Sequence, residues 1–522
     1  MTSVTRAARG MGVATVVSRG FGFVRVLVVA AVLGTTYLGN TFQATNSFSN
    51  VLFELIAAGA LSAVLVPTFV EMLERHQAVE DLAGRLLGLA LLALGVVAVV
   101  GVLAAPLLAD VLTGDAPAAV ADEQRELATF LLRFFIPQIV LYAVGAVAIA
   151  VLYAQHRLAI TALAPIGNTI VVVAAMVVFR ILAGPGDPGL DLSTAEQLTL
   201  ALGGTLGVVA FVAVPLIALH RGGFRLWPRW PRRDEPLGRL LRLSGWAIFQ
   251  HAEVGLLLGA ALVIGNGVAG GVVAYQVAFV FFLAPYAVLA QPIHTAILPD
   301  LAREATEPAR FADSVRWALD TMAILVVPVA AAACALAFPA MRVVAFGEAT
   351  AGDGVELLAA GLASLAVGLY GYGAFLLLAR ASYALGDSRT PAVVAVVTAL
   401  VGVVVMVIAG SQTEGAARVA ALGLGHSAAY LAGTVVLGVL LRRRLYAPLW
   451  PRLLGRVALV AAVVGTAAWV VARAVDPAGR WGSLALVVAV VTVGGAAYLG
   501  GLVVLRVPRP HRRAGATPAG AA

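Results

Sequence analysis

The 522-residue sequence is short of charge: Asp, Glu, Lys and Arg make up 12% of its residues. Soluble domains carry about 25%, so the composition excludes an ordinary soluble protein. Lysine is absent, and the formal net charge of +8 therefore rests on arginine. The sequence holds one cysteine, Cys334, which excludes a disulfide within the chain.

Motifs for catalysis are also missing. No glycine-rich Walker A loop is present, so we expect no ATP hydrolysis by this chain. No paired-histidine spacing indicates a metal site. The basic charge lies in short loops, where membrane orientation explains it, so we expect no nucleic-acid partner. We expect no enzyme and no cofactor.

Long apolar runs dominate the sequence, which is 61% hydrophobic with a mean hydropathy of +0.97. Barrel strands alternate apolar and polar residues, whereas these runs are unbroken, so the predicted fold class is an all-α integral membrane protein. About fourteen runs are long enough to cross about 30 Å of hydrocarbon. They cover 11–33, 41–70, 83–109, 128–153, 159–182, 197–219, 240–265, 271–298, 315–338, 355–380, 391–410, 417–441, 455–474 and 481–506.

Arginines concentrate in every second loop. They precede the first run and follow the sixth, eighth, twelfth and fourteenth, while the opposite loops are short or acidic. Positive loops stay in the cytoplasm. We therefore predict a multi-pass membrane protein with both termini cytoplasmic.

The two halves of the chain repeat each other. Tyr142 with Gly145 and Tyr370 with Gly373 form one of several matches about 230 residues apart. Six crossings per repeat give both copies the same orientation, which is a transporter signature. The predicted domains are an N-lobe of six helices (1–220), a basic cytoplasmic linker (221–239), a C-lobe of six helices (240–444), a C-terminal helix pair (445–508) and a cytoplasmic tail (509–522).

The first two runs carry groups that hydrocarbon rejects. Arg19 and Arg25 lie inside the first run, and a stripe with helical spacing lies in the second, formed by Gln43, Asn46, Asn50 and Glu54. Buried charge costs at least about 2.5–3.5 kcal/mol unless it faces protein or water. We interpret both runs as walls of a polar cavity. The competing interpretation is that Arg25 reaches the headgroups and the amides join helices.

The second half differs in these positions. The counterparts of the stripe are apolar or aromatic, namely Tyr275, Ala278, Phe282 and Tyr286. The seventh run has its own polar group, Gln250, His251 and Glu253, which we add to the candidate substrate-binding residues. His294 and His426 are interpreted as structural histidines.

These stretches resemble a known family. The segment from Ser18-Arg19 to Arg25 is similar to the first-helix signature of the MurJ/MviN lipid II flippases, in the multidrug/oligosaccharidyl-lipid/polysaccharide exporter superfamily. Ala44-Thr45-Asn46 and 59–67 resemble the second-helix signature. The resemblance implies alternating-access transport of lipid II, an undecaprenyl-pyrophosphate-linked peptidoglycan precursor, with membrane lipids and cell-wall synthesis proteins as partners. It leaves the energy source, a coupling ion or the membrane potential, open.

The sequence also departs from this family. Val26 and Asn40 stand where an acidic residue is common, and Phe53 and Ala278 stand where arginines are common. The cationic set is thereby reduced to Arg19 and Arg25. Two alternatives therefore stay open: a flippase for another polyprenyl-linked oligosaccharide, or an ion-coupled exporter of small molecules.

Overall fold

The computed structural model describes residues 3–53, 69–70, 72, 79–184, 186, 189–230, 252–477 and 479–508, and side chains from residue 14 onward except those of residues 50, 52 and 53. This part of the chain is helical and contains no strand. The helices of its first half are α1 (Ser3–Leu33), α2 (Tyr37–Phe53), α3 (Val79–Leu103), α4 (Ala105–Leu112), α5 (Ala121–Phe135), α6 (Gln138–Ala154), α7 (Leu158–Ala183), α8 (Thr194–Arg221) and α9 (Ala252–Gly265).

The second half continues with helices of similar length. They are α10 (Gly271–Pro285), α11 (Gln291–Arg303), α12 (Pro308–Ala335), α13 (Ala337–Val344), α14 (Gly354–Ala366), α15 (Leu369–Ala384), α16 (Arg389–Gly410), α17 (Gly415–Leu445), α18 (Leu454–Val475) and α19 (Gly479–Val504). A π-helix, Tyr286–Ala290, joins α10 to α11, and a 3₁₀-helix, Gly347–Thr350, precedes α14.

The predicted all-helical membrane class is confirmed. Within the described residues, eleven helical stretches are long and apolar enough to cross a membrane, or twelve if the bent pair α14 and α15 counts as one crossing. The two other predicted runs, 41–70 and 240–265, overlap α2 and α9 and extend into residues outside the described ranges. The count of fourteen therefore stays a prediction.

Apolar side chains face outward along these helices. On α16 the exposed positions recur at helical spacing, at Val393, Val397, Leu400, Val404 and Ile408. A soluble helix would place polar groups on such a face. This outer face is suited to hydrocarbon, where a helix satisfies all its backbone groups internally.

Local signals set several helix ends. Ser193 accepts a hydrogen bond from the backbone of Glu196, whose carboxylate bonds back to Ser193, so a capping box begins α8. Gly34 and Gly184 follow α1 and α7 with φ angles of 70° and 71°. Only glycine adopts this left-handed conformation without strain, which explains why both helices end there.

The two halves share their helix breaks. α5 and α6 are separated at Ile136 and Pro137, and α14 and α15 are separated at Val367 and Gly368 with a bend of 44°. The next helices, α7 and α16, begin at Leu158 and Arg389, again about 230 positions apart. The predicted repeat is thus visible in helix boundaries as well as in sequence.

By its contacts the chain divides into two compact units. The first comprises Met1–Val277, Val344–Leu358 and Met406–Leu422. Its core near the polar residues joins α1, α2, α5 and α7, with Phe42 and Phe135 in edge-to-face contact at 5.9 Å between ring centroids.

The second unit comprises Ala278–Val343, Ala359–Val405 and Gly423–Ala522. Here the final helices pack on α12: the Tyr498 hydroxyl donates to the carbonyl of Ile324 at 2.9 Å, and the Leu453 amide donates to the buried carboxylate of Asp320 at 2.9 Å. The predicted domains are continuous segments of the sequence, whereas each of these units combines three separate segments. The predicted domain boundaries therefore stay predictions.

Candidate functional site

A polar pocket lies inside the first unit, between helices α1, α2, α6, α7, α8 and α10. Apolar side chains such as Val29 and Phe42 close part of its wall. Its polar lining consists of Arg25, Gln43, Asn46, Ser47, Tyr142, Asn168 and Gln276. Seven polar side chains converging within apolar helices are the arrangement expected of a binding site rather than of a packed core.

The cavity is small in this conformation. Its volume is about 50 Å³, which holds a few water molecules. Pockets that enclose drug-sized ligands measure about 300–1,000 Å³. A sugar-bearing headgroup would therefore require the surrounding helices to move apart.

Arg25 supplies the positive charge of the pocket. Its Nη1 donates to Oδ1 of Asn168 on α7 at 3.0 Å, and the side chain is partly buried. Among the described residues that line the pocket, Arg25 is the one cation and none is a carboxylate. The guanidinium thus has a neutral partner and retains donors for an anion.

The α2 wall carries amides and a hydroxyl on one face. Gln43 is buried and Asn46 is partly buried, three positions further along the helix. Ser47 accepts a hydrogen bond from the Nε2 of Gln276 on α10. The face predicted from the spacing therefore does line a polar pocket at Gln43 and Asn46.

Arg19 lies elsewhere. Its side chain is exposed and does not line the pocket. Six positions along a helix turn the side chain by about 120°, so Arg19 and Arg25 leave α1 in different directions. Glu253 is buried on α9, also outside the pocket lining. The side chain of Asn50, and residues Glu54, Gln250 and His251, fall outside the described part of the chain.

Four polar residues of the lining were not predicted from the sequence, namely Ser47, Tyr142, Asn168 and Gln276. Asn168 and Gln276 each stand inside a long apolar run, in the crossings 159–182 and 271–298. An amide in such a run is the same signal that selected Asn46. This signal was available at both positions. The sequence did not indicate that Asn168 would pair with Arg25 or that Gln276 would pair with Ser47.

The second unit has an aromatic cluster where the first has polar groups. Phe282 and Tyr286 contact Tyr372 at 5.4 and 4.7 Å between ring centroids. His294 lies beside Tyr286, with Nδ1 3.5 Å from the hydroxyl, and His426 packs on Tyr430 at 5.0 Å. Both histidines are buried in this cluster, as a structural role requires.

Asn40 has a structural role at the entrance to α10. Its Nδ2 donates to the Val268 carbonyl at 2.7 Å, and its Oδ1 accepts from the amides of Val272 at 3.0 Å and Val273 at 3.4 Å. The side chain is fully buried. An amide can donate and accept at once, which explains asparagine here. Of the other departures, Val26 lies in the pocket lining beside Arg25, and Ala278 is fully buried on α10.

Comparison with known proteins decides the family. The family model described as "Lipid II flippase MurJ" matches residues 29–490, which is most of the chain. The chain belongs to the lipid II flippase MurJ family. As a member of that family it is a multi-pass membrane transporter and not an enzyme.

Related sequences carry the same description. A probable lipid II flippase MurJ of Rhizobium tropici is 27% identical over 388 residues, covering 73% of this chain and 71% of the relative. That of Haemophilus influenzae is 24% identical, covering 73% of this chain and 76% of the relative. The lipid II flippase MurJ of Burkholderia cenocepacia is 26% identical, with 73% coverage of both.

Solved structures show the same fold. A lipid II flippase MurJ in an inward closed conformation superposes with a TM-score of 0.75 over 95% of this chain and 98% of that chain, at 17% identity. An inward-facing multidrug resistance MATE transporter of the MOP superfamily follows with a TM-score of 0.64 over 82% of this chain and 94% of that chain, at 14% identity. This chain thus shares its fold with a multidrug resistance transporter as well as with a lipid II flippase.

Proposed function

We propose that this chain translocates lipid II, the undecaprenyl-pyrophosphate-linked peptidoglycan precursor, across the bacterial cytoplasmic membrane. Membership of the lipid II flippase MurJ family supports lipid II as the transported molecule. The observation that carries the proposal at the level of chemistry is the Arg25 guanidinium, which faces a pocket with a neutral amide partner and no described carboxylate in the lining. An uncompensated guanidinium inside a membrane favours an anionic group such as a diphosphate.

The polar lining suits the rest of the headgroup. Gln43, Asn46 and Tyr142 offer hydrogen-bond donors and acceptors to sugar hydroxyls and peptide amides. The cavity of about 50 Å³ is too small for that headgroup. We therefore propose alternating access, in which the helices around the pocket separate toward one membrane face and then the other.

The same chemistry argues against a cation exporter. A site for an organic cation is favoured by a carboxylate, and a guanidinium repels a cation. The described lining has amide and hydroxyl oxygens but no carboxylate, and it contains Arg25.

The test is a flipping assay in vesicles that contain the purified protein and labelled lipid II. We expect Arg25→Ala to reduce the rate at least about tenfold, because a charge-assisted contact to the diphosphate is lost. Arg25→Lys should restore part of the rate, since lysine keeps the charge but lacks the bidentate geometry. Arg310→Ala is the matched control, because Arg310 is 63% exposed, pairs with Glu307 and is not among the lining residues of the pocket.

Two outcomes would count against the proposal. A wild-type rate for Arg25→Ala would place the headgroup elsewhere. Equal transport of lipid II and of an undecaprenyl-diphosphate carrying an unrelated oligosaccharide would mean that the chain does not select the peptidoglycan precursor. Arg19→Ala, assayed alongside, tests whether the second predicted arginine acts at another stage of transport.

We also propose that both termini face the cytoplasm, from the arginine-rich loops. Fusions of a fluorescent protein that folds only in the cytoplasm, placed after residue 522, should fluoresce. Bright periplasmic reporter activity from the same position would reverse the assignment.

A further inference from the structure

Arg25 is held in the pocket by a residue from a different helix. The Oδ1 of Asn168 on α7 accepts from Nη1 of Arg25 on α1 at 3.0 Å, across 143 positions of sequence. An arginine side chain has many rotamers, and fixing one of them costs conformational entropy. A partner that already fixes the guanidinium removes this cost from the binding step.

Pro165 and Gly167 lie close to Asn168 in the sequence of α7. Pro165 lies inside the helix, and the Thr169 hydroxyl donates to the Pro165 carbonyl at 3.2 Å. Gly167 faces the α8 backbone, where an added Cβ would come within 2.9 Å of the Ala210 carbonyl oxygen. α7 can therefore approach α8 closely at this level.

α8 in turn leaves space for the amide. A Cβ on Gly207 would lie 3.0 Å from Nδ2 of Asn168 and 2.9 Å from Cγ2 of Val172. Any side chain there would press on Asn168. Gly207 thus keeps the amide in the position from which Oδ1 reaches Arg25.

The neutrality of the partner matters as much as its position. An aspartate at the same site would have the same size and would accept the same hydrogen bond, but its charge would pair with the guanidinium. The pocket would then present no net positive charge to a diphosphate. Asparagine orients Arg25 without neutralising it.

We propose that Asn168 is a positioning residue that aims the Arg25 guanidinium at the diphosphate of the substrate while leaving its charge available. This inference rests on the proposed function, because it specifies how the same pocket recognises its anionic ligand. It assigns to Asn168, on α7, a part in the selection of diphosphate lipids.

The experiment measures binding of undecaprenyl diphosphate and undecaprenyl monophosphate to the purified full chain by native mass spectrometry. We expect Asn168→Ala to weaken diphosphate binding about tenfold, since the guanidinium is no longer fixed. Asn168→Asp should weaken it at least as much, although this variant keeps the size and the hydrogen bond. In the flipping assay, Asn168→Ala should raise the half-saturating lipid II concentration about tenfold and leave the maximal rate within about twofold.

A double-mutant cycle separates positioning from general support of the fold. If Asn168 acts through Arg25, Asn168→Ala should cause no further loss of binding in an Arg25→Ala background. Additive losses would show that the two residues act independently and would overturn the proposal. Wild-type diphosphate binding by Asn168→Asp would also overturn it, because the charge state of the partner would then be irrelevant.

Gly207→Ala provides a second variant if the asparagine variants do not fold, because it displaces the amide without removing it. It should weaken diphosphate binding, and unchanged binding in a folded Gly207→Ala protein would contradict the proposal. The same measurements distinguish failure of the positioning role of Asn168 from failure of the proposed function. Wild-type binding by Arg25→Ala defeats both, whereas weakened binding by Arg25→Ala with wild-type binding by every Asn168 and Gly207 variant defeats the positioning role alone.

Discussion

Arg180 and Glu348 form an ion pair across 168 positions of the chain, with Nη2 of Arg180 2.7 Å from Oε1 of Glu348. Arg180 lies in the last turn of α7 and also donates from Nη1 to the Gly186 carbonyl at 2.8 Å. Glu348 lies in the 3₁₀-helix of the segment 344–358, which belongs to the first unit. The ion pair therefore connects the segment 344–358 to α7, within the unit that contains the pocket.

Reversing one charge of this pair should destabilise the protein, and reversing both should restore it. Both side chains are partly exposed, at 36% and 18%, so screening limits the pair to about 1 kcal/mol. We expect Arg180→Glu and Glu348→Arg each to lower the Tm by a few degrees in detergent, because like charges then face each other. The double variant should recover most of the loss. A double variant as unstable as the sum of the single ones would show that the contact contributes no pairwise energy.

Asn40 should be among the polar residues most sensitive to truncation. Asn40→Ala leaves two amides and a carbonyl without their partner in a fully buried site, which costs about 2–3 kcal/mol. Asn40→Asp keeps both accepted bonds and places a negative charge at the N-terminus of α10, so its loss should be smaller. Thermal unfolding of both variants measures the difference, and equal Tm values for the two would contradict this assignment.

Gly207→Ala should impair lipid II transport with little loss of stability. The added methyl presses on Asn168 and Val172, both of which have side chains that can shift. We expect the half-saturating lipid II concentration to rise by a few-fold. Gly95→Ala on α3 is the matched control, because a Cβ there meets nothing within 4 Å. Equal effects of the two substitutions would mean that helix propensity, and not the position of Asn168, explains the change.

Asp387 should make stability depend on acid pH. It lies between α15 and α16, and partial burial alone would raise its pKa. The Thr390 backbone and side chain and the Arg444 guanidinium, whose Nη1 lies 2.9 Å from Oδ2, outweigh this and lower the pKa below its ordinary value of 3.8. A lowered pKa stabilises the folded state above the ordinary value, and this contribution is lost as the pH falls through the lowered pKa.

Comparison of wild type with Asp387→Asn measures this contribution. Near neutral pH the variant should unfold at a lower temperature, because it has lost the ion pair with Arg444. As the pH falls below about 4, the two unfolding temperatures should converge. A constant difference across this range would show that the carboxylate charge does not contribute.

Part of the candidate site could be predicted from the sequence. The spacing of Gln43 and Asn46 placed both on one face of a helix, and the structure puts both in the pocket lining. Arg19 and Arg25 were both predicted to line the cavity, whereas Arg19 is exposed and, of the two, Arg25 alone lines the pocket. The shared face of Gln43 and Asn46 depends on the geometry of a single helix, whereas the surroundings of Arg19 depend on how other helices pack against α1.

The partners of those residues could not be predicted. Asn168 lies 143 positions from Arg25, and Gln276 lies 229 positions from Ser47. Which helix faces approach each other depends on side-chain volumes along both helices, such as the space that Gly207 leaves. The periodicity of a single apolar run does not indicate which helix faces will be in contact.

The sequence by itself determined that this chain is a bundle of membrane-crossing helices with two similar halves, because hydrocarbon admits no unpaired backbone group and periodicity fixes the faces of each helix. Only the tertiary structure decided that Arg25 has a neutral partner and that the pocket is now too small for a headgroup. Those properties arise where several helices meet, and close packing between helices depends on residues far apart in the chain.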